Sequence, residues 1–366
     1  MWKTRDYPRV GALPQGCWRW PRNDALQSRV FPFPEAPILR LLLAPMEGLL
    51  DDVLRAVLTR DTRYDCAVTE FVRVSGVMLP PRTYRRIAPE LDNGSRTVGG
   101  TPLRVQLLGS DPALLAANAA VLARLAPTAV DLNFGCPAPT VNRHRGGAAL
   151  LDEPELLHEI ACSVRAALPP EMPLTAKMRL GIADAGRALD CARALADGGI
   201  AELVVHARTK QQGYRPPAHW EWVGRIASEV QVPVVANGEV WSAADWRRCR
   251  AVSGVADVML GRGAVADPFL AGRIRRGELE PPEPAVRAEE WAAVLDLLGD
   301  FRVRVRAKLR AAFVPGRIKQ WLNLLRRSYP QAESLFAEIR TLRHLAEIDP
   351  VLAAHGVPMA AALRAA

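Results

Sequence analysis

From Ile38 onward the chain alternates short apolar runs with longer stretches of helical spacing. The runs lie at 41–45, 66–72, 103–108, 129–134, 173–178, 202–207, 232–236 and 256–260. Alanine- and leucine-rich segments such as 111–125 and 185–197 separate most of them. Strands alternating with helices build parallel βαβ units. Eight runs of this kind in about 220 residues match the count and size of an α/β fold of the (β/α)8 TIM-barrel type. A doubly wound sheet is the rival, but it usually carries a glycine-rich fingerprint after its first strand. Here the first strand ends in Ala44-Pro45-Met46-Glu47-Gly48. A Pro- and Glu-rich link at 278–286 leads into a stretch of helical composition. The pattern therefore predicts a barrel over 38–280 and a smaller α-helical bundle over 287–366, preceded by an irregular extension over 1–37 that is rich in Pro, Arg and Trp.

On a barrel, chemistry sits at the carboxyl ends of the strands. Polar residues cluster there. Strand one ends in Pro45, Met46 and Glu47, and strand two runs into Glu70 and Arg73. Strand three holds Gln106; strand four presents Asn133 and Cys136 within VDLNFGCPAP. Strand five gives Lys177 and Arg179, strand six His206 and Arg208, strand seven Asn237, Gly238 and Glu239, and strand eight Gly261 and Arg262. Each has an ordinary structural reading: Gln106 could bond a neighbour, Lys177 could be half of an ion pair, His206 could be a satisfied core histidine, and most buried cysteines are inert. Together they share one face of one fold. The loops ANGE and GRGA follow the last two strands, the usual phosphate position on a barrel. Glycine lets backbone N–H groups approach phosphate oxygens closely, and Arg262 adds a charged fork.

Charge changes the picture at the ends of the chain. The net charge is +9. The first 40 residues carry seven Lys and Arg against three Asp and Glu, residues 287–366 carry 13 against 8, and the middle is balanced. Phe301–Arg327 holds nine basic residues and no acid. On one helix Arg302, Arg306 and Arg310 would share a face, with Arg317, Lys319, Arg326 and Arg327 following. A neutral body with a basic appendage suits a polyanionic partner; a solvated helix surface is the plainer alternative. The six cysteines are scattered without a CxxC pair, which argues against a zinc ribbon or disulfide framework and fits a reducing cytoplasm. No metal-ligating cluster, signal-peptide core or membrane-length apolar run is present in the sequence.

The segments APMEG, TEFVRV, VQLLG, LNFGCP, GGAALL, AKMRLG, VVHARTKQQGY, ANGE and GRGA resemble, in order and spacing, the bacterial tRNA-dihydrouridine synthases over roughly residues 40–345. TEFVRV, HARTKQQGYR and RIKQWL look like the subgroup that modifies uridine 16 of the D-loop. The resemblance implies FMN across the barrel mouth. Its phosphate would meet Asn237, Gly238, Glu239, Gly261 and Arg262. Pro45, Met46 and Glu47 would line its ring, with Gln106 and Lys177 bonding its polar edge and His206 in the flavin pocket. NADPH or NADH would be the transient reductant, and Cys136 the acid that protonates uracil C5. A thiol with an ordinary pKa of about 8.5 is mostly protonated at neutral pH, so it can act as an acid. Arg73, Asn133, Arg179 and Tyr214 would surround the flipped nucleotide, and Arg317, Lys319 and Arg326 would hold tRNA phosphates. A monomer without an obligate protein partner is expected. Residues 143–145, Arg-His-Arg, are more charged than relatives usually show before GGA. Two other readings use parts of the same pattern. An FMN barrel reducing a free pyrimidine would not need the basic helical segment, and a tRNA-binding protein without catalysis would leave Cys136 and Lys177 unexplained.

Overall fold

The computed structural model describes residues 39–60, 64–143, 145–280 and 282–359. The extension 1–37, and whatever its tryptophans and arginines do, lies outside the described residues. Among the described residues nine strands form: β1 Leu41–Leu43, β2 Cys66–Val68, β3 Val72–Arg73, β4 Leu103–Leu108, β5 Ala129–Phe134, β6 Leu174–Arg179, β7 Glu202–His206, β8 Val234–Asn237 and β9 Val258–Leu260. Every pairing between these strands is parallel. β2 and β3 both pair with β4, so they are two halves of one barrel strand broken at 69–71. β1 pairs with β2 on one side and β9 on the other, which closes an eight-stranded barrel. All eight apolar runs therefore become barrel strands, within two residues at their ends.

Helices follow the strands and start where side chains can satisfy their first N–H groups. Asp51, Asp111 and Ser242 each accept from the backbone N–H three residues on. Along each strand, alternate residues face the helices or the barrel interior. In β6, Leu174, Ala176 and Met178 join the outer core, while Thr175, Lys177 and Arg179 point inward. The interior is layered. At the amino end Glu202 accepts from Arg40 at 2.7 Å and from Arg104 at 2.5 Å, and Arg40 also pairs with Asp257. Above this lies an apolar plug that includes Leu42, Cys66, Val68, Val204, Val235 and Met259. The polar side chains of the mouth sit above the plug.

Beyond the barrel come the helices Pro284–Lys308, Val314–Leu325, Pro330–Ile339 and Leu345–Ala354. They share one continuous apolar core with the outside of the barrel. Trp321 donates its indole N–H to the Val265 carbonyl at 3.0 Å, and the Tyr329 hydroxyl reaches Asp267 at 3.2 Å. Residues from Leu39 onward thus form one compact unit. Among the described residues no helix is long and apolar enough to cross a membrane.

The helical segment corrects the expected basic face. Arg302 is buried, donating to Asp349 Oδ1 at 2.7 Å and to the Met359 carbonyl at 3.4 Å. Arg306 is exposed, and Arg310 lies past the end of the helix. The long helix has to bury that side against the last helix, so its arginine there finds an acid rather than solvent. Arg302→Ala is expected to destabilise the protein by about 2–3 kcal/mol, because Asp349 loses its cation in a half-buried place. Arg306→Ala should leave thermal unfolding unchanged. Equal, small shifts for both variants in a thermal melt would refute this assignment.

Candidate active site

Asn133, the last residue but one of β5, organises the loop that follows. Its Oδ1 accepts from the N–H of Gly135 at 3.0 Å and of Cys136 at 2.9 Å. The Cys136 carbonyl is held from the other side by Asn142 Nδ2 at 3.0 Å and the Ala148 N–H at 3.1 Å. Gly147 follows in a left-handed conformation, and a Cβ there would lie 2.8 Å from the Cys136 carbonyl oxygen. The loop therefore presents a half-buried thiol on a peptide fixed at both ends. Burial pushes the Cys136 thiol up and Glu47 adds to this, against a backbone N–H from Ala138 and the charges of Arg179 and Arg73.

Lys177 pairs in register with Asn133 on the neighbouring strand and with Val204 on the other side. It is 9 % exposed, and among the described residues no protein group accepts a hydrogen bond from its ammonium. Desolvation, then the charge of Arg179, pulls its pKa down to about 7; Asp131 opposes. His206 is depressed well below its ordinary value by desolvation and then by Arg179, Lys177, Arg208 and Arg262, so it is neutral at pH 7. Glu47 stands exposed at the rim, yet protein atoms crowd the concave surface around its carboxyl. That partial desolvation, then the charge of Glu70, pushes it up to about 7. Pro45 and Met46 sit half-buried beside it, and Gly48 donates its N–H to Glu70 at 2.6 Å.

The glycine loops have the geometry of an anion cradle. Gly238 (φ +114°) and Glu239 (φ +61°) are consecutive residues with positive φ, and among the described residues their N–H groups have no protein acceptor. A Cβ on Gly238 would lie 2.8 Å from the His206 ring. The Glu239 carboxylate pairs with Arg208, so what this residue offers the cradle is its backbone N–H. Asn237 is fixed by donating to the Met259 carbonyl at 2.8 Å. Gly261 lies against Met46, 3.7 Å from its sulfur to an ideal Cβ. Arg262 lies between two rings, 4.5 Å from the Tyr214 centroid and 5.1 Å from Trp241. A buried cation without a partner, free N–H groups at two successive positive-φ residues, and an arginine beside them fit a phosphorylated flavin.

Several expected contacts are placed differently. Gln106 is wholly buried, with its amide taken by Asp131 and Asn133, so it lies beneath the mouth and not on its wall. Arg179 is also buried. It clamps the Cys136 loop to the 209–213 loop through the carbonyls of Gly135, Thr209 and Gly213, at 2.8, 3.1 and 2.9 Å. Arg317 is engaged by Asp51 and the carbonyls of Gly48 and Leu49, and Lys319 by the carbonyls of Arg340 and Leu342. Arg326 pairs with Glu333. Tyr214, by contrast, is 54 % exposed, its ring 6.0 Å from His206, and Arg73 reaches the Thr140 carbonyl at 3.3 Å. Sequence reasoning overlooked Asp131, the interior carboxylate under Gln106, and Trp241, which packs Arg262 against Arg327. Asp131 stood inside the quoted motif, two residues before Asn133 and therefore on the same face of its strand.

A partnerless ammonium in the mouth carries a cost in the FMN-free protein. Its pKa is about 7 when folded and near 10.5 otherwise. Between those values the unfolded chain binds the proton and the folded chain does not. Stability therefore rises with pH across that window, and below pH 7 the penalty is constant. Lys177→Met is expected to raise the Tm of FMN-free protein by several degrees at pH 7, with the gain shrinking towards pH 10, and to weaken FMN binding. Calorimetry showing a lower Tm at pH 7 would mean that the ammonium has a partner.

Residues 42–309 match the family "Dihydrouridine synthase (Dus)". The chain is 57% identical over 318 residues to the tRNA-dihydrouridine(16) synthase of Aquipseudomonas alcaligenes, spanning 86% of this chain and 99% of that one. It is 57% identical over 322 residues to the enzyme of the same name from Cupriavidus necator, spanning 88% and 98%. Identity to that of Neisseria meningitidis serogroup B is 46% over 315 residues, spanning 86% and 94%. A distant likeness, with a TM-score of 0.45 and 13% identity, links 65% of this chain to 89% of an old yellow enzyme homologue from Zymomonas mobilis. The chain belongs to the dihydrouridine synthase family.

Proposed function

We propose that this protein reduces uridine 16 of tRNA to 5,6-dihydrouridine, with FMN in the barrel mouth and NADPH or NADH as reductant. The observation that carries the reading is the half-buried thiol of Cys136 on a loop fixed at both ends, adjoining a mouth with an unpartnered cation and an anion cradle. Lys177 would meet the polar edge of the flavin, and the Gly238–Glu239 N–H groups with Arg262 its phosphate. Pro45, Met46 and Glu47 would line its ring, with His206, neutral at pH 7, at the floor. Bound and reduced there, FMN would make a hydride available for uracil C6. Cys136 then holds the proton for C5: desolvation keeps its thiol protonated at neutral pH, which suits an acid.

Tyr214, exposed above His206, offers a stacking face for the flipped base, and Arg73 stands at the other rim. Asn133 has one amide hydrogen left after its bond to Gln106 and can give it to the base. Arg179 acts behind this surface by clamping two loops. For the tRNA backbone the exposed Arg306, Arg310 and Arg327 are the ready cations. Arg326 can exchange its exposed partner Glu333 for a phosphate at little cost. Arg317 and Lys319 serve chiefly to hold protein loops.

Cys136→Ala is expected to keep FMN bound and reducible by NADPH while uridine reduction falls by about 10²-fold or more, the usual scale for a positioned acid. Normal tRNA reduction by this variant, or loss of its flavin, would remove Cys136 from the acid role. The position of the product is a separate test. Given a tRNA with uridines at 16, 17 and 20, the enzyme should leave dihydrouridine at 16 alone when the digest is read by mass spectrometry. Product at 17 or 20 would overturn the positional assignment and leave the chemistry intact.

A further inference from the structure

Beneath the mouth, four side chains form one directed chain of hydrogen bonds. Thr175 Oγ1 donates to Asp131 Oδ1 at 2.5 Å. Gln106 Nε2 donates to Asp131 Oδ2 at 2.7 Å. Asn133 Nδ2 donates to Gln106 Oε1 at 2.6 Å. The N–H groups of Gly135 and Cys136 donate to Asn133 Oδ1. Every bond runs towards Asp131. The direction is dictated at the loop end, because backbone N–H groups can only donate, and at the other end both oxygens of the Asp131 carboxyl accept. Between these ends the two amides have one allowed orientation each. Turning Gln106 over would set N–H against the Asn133 amide hydrogens and a carbonyl oxygen against the carboxylate. The Gln106 backbone is pinned as well, its N–H donating to Thr69 Oγ1 at 3.0 Å. Asp131, Gln106 and Thr175 are buried inside the barrel, out of reach of competing water.

We propose that Asp131 is a positioning residue for Cys136: by accepting from Gln106 it fixes both amides, and through Asn133 it fixes the peptide that carries the thiol. The role assigned to the thiol rests on the proposed function; the orienting chain rests on geometry alone. Two conservative substitutions separate orientation from charge. In Asp131→Asn, the new amide can turn its oxygen to Gln106 and its NH2 to Thr175, whose hydroxyl can rotate to accept. In Thr175→Val, Asp131 remains an acceptor for Gln106. In the double variant the amide introduced at position 131 loses the hydroxyl that would hold its NH2, so its orientation, and that of Gln106, is held from the Asn133 end alone.

The test is a double-mutant cycle on FMN-loaded protein, read as single-turnover dihydrouridine formation after the flavin has been reduced. Each single variant should stay within about fivefold of the parent, and the double variant should fall about tenfold or more below the product of the two. Reduction of the flavin by NADPH should change little in all four proteins. Hydrogen exchange on the FMN-free proteins gives a readout that does not depend on activity: the N–H groups of Gly135 and Cys136 should lose protection in the double variant alone. Additive rates with unchanged exchange overturn the proposal, as does a large loss in Asp131→Asn by itself, which would mean that the charge matters and not the orientation. If the parent protein makes no dihydrouridine, the functional reading fails, while the exchange pattern still decides the orienting role.

Discussion

Charge buried in a closed barrel must be compensated, and this barrel leaves one buried cation at its carboxyl end without a partner among the described residues. At the amino end, Arg40 and Arg104 share Glu202, with Asp257 completing the set. These charges are paired and hydrogen-bonded, which is what makes interior ions tolerable. The apolar plug then seals the axis. At the carboxyl end Lys177 has no acceptor among the described residues, and the charges that depress His206 are all cations. Such an arrangement costs stability in the free protein, and functional sites are where that cost is tolerated. A bound anionic group removes it. The mouth is therefore shaped for an anionic cofactor before one arrives.

The same asymmetry explains how the helical segment is used. A polyanion-binding surface needs cations free to meet phosphates, yet Lys308 pairs with Asp52 and Arg317 with Asp51. Arg317 and Gln320 also donate to the Gly48 carbonyl, at 3.1 and 2.9 Å. Gly48 follows directly on the Pro45–Glu47 wall and gives its own N–H to Glu70. Helix Val314–Leu325 thus buttresses one side of the mouth while exposed arginines elsewhere on the segment remain available. The barrel and its helical appendage share a core, so a displacement of the helix would be felt at the mouth wall.

The alternating runs carried the architecture because strand and helix periods are local properties. Eight buried parallel strands read as apolar runs whatever their partners. The polar positions at strand ends were legible for the same reason: position on a barrel strand implies the mouth. Depth and partnership were not legible. Gln106 and Lys177 look alike in sequence, each a polar residue in an apolar strand, but one is tied below the surface and the other is left open to it. Arg302 and Arg306 lie one turn apart, and only the position of Asp349, 47 residues on, separates a buried pair from a free cation. Residue type and spacing cannot supply those long-range partners.

The cations around the mouth raise a question about Cys136 itself. A cysteine used as a nucleophile is commonly helped by nearby positive charge, which favours the thiolate. Here Arg179 and Arg73 act in that direction, but desolvation outweighs them and the thiol pKa moves up. The reason is structural: Arg179 spends its guanidinium on three backbone carbonyls and lies behind the loop, so it stiffens the thiol's support more than it polarises the thiol. Lys177, the cation left open to the mouth, is placed across from Asn133 and not beside the sulfur in the chain of hydrogen bonds. The loop thus holds, on a peptide fixed at both ends, a thiol whose environment favours the S–H form. That is the protonation state a proton donor requires and the one a nucleophile must first lose.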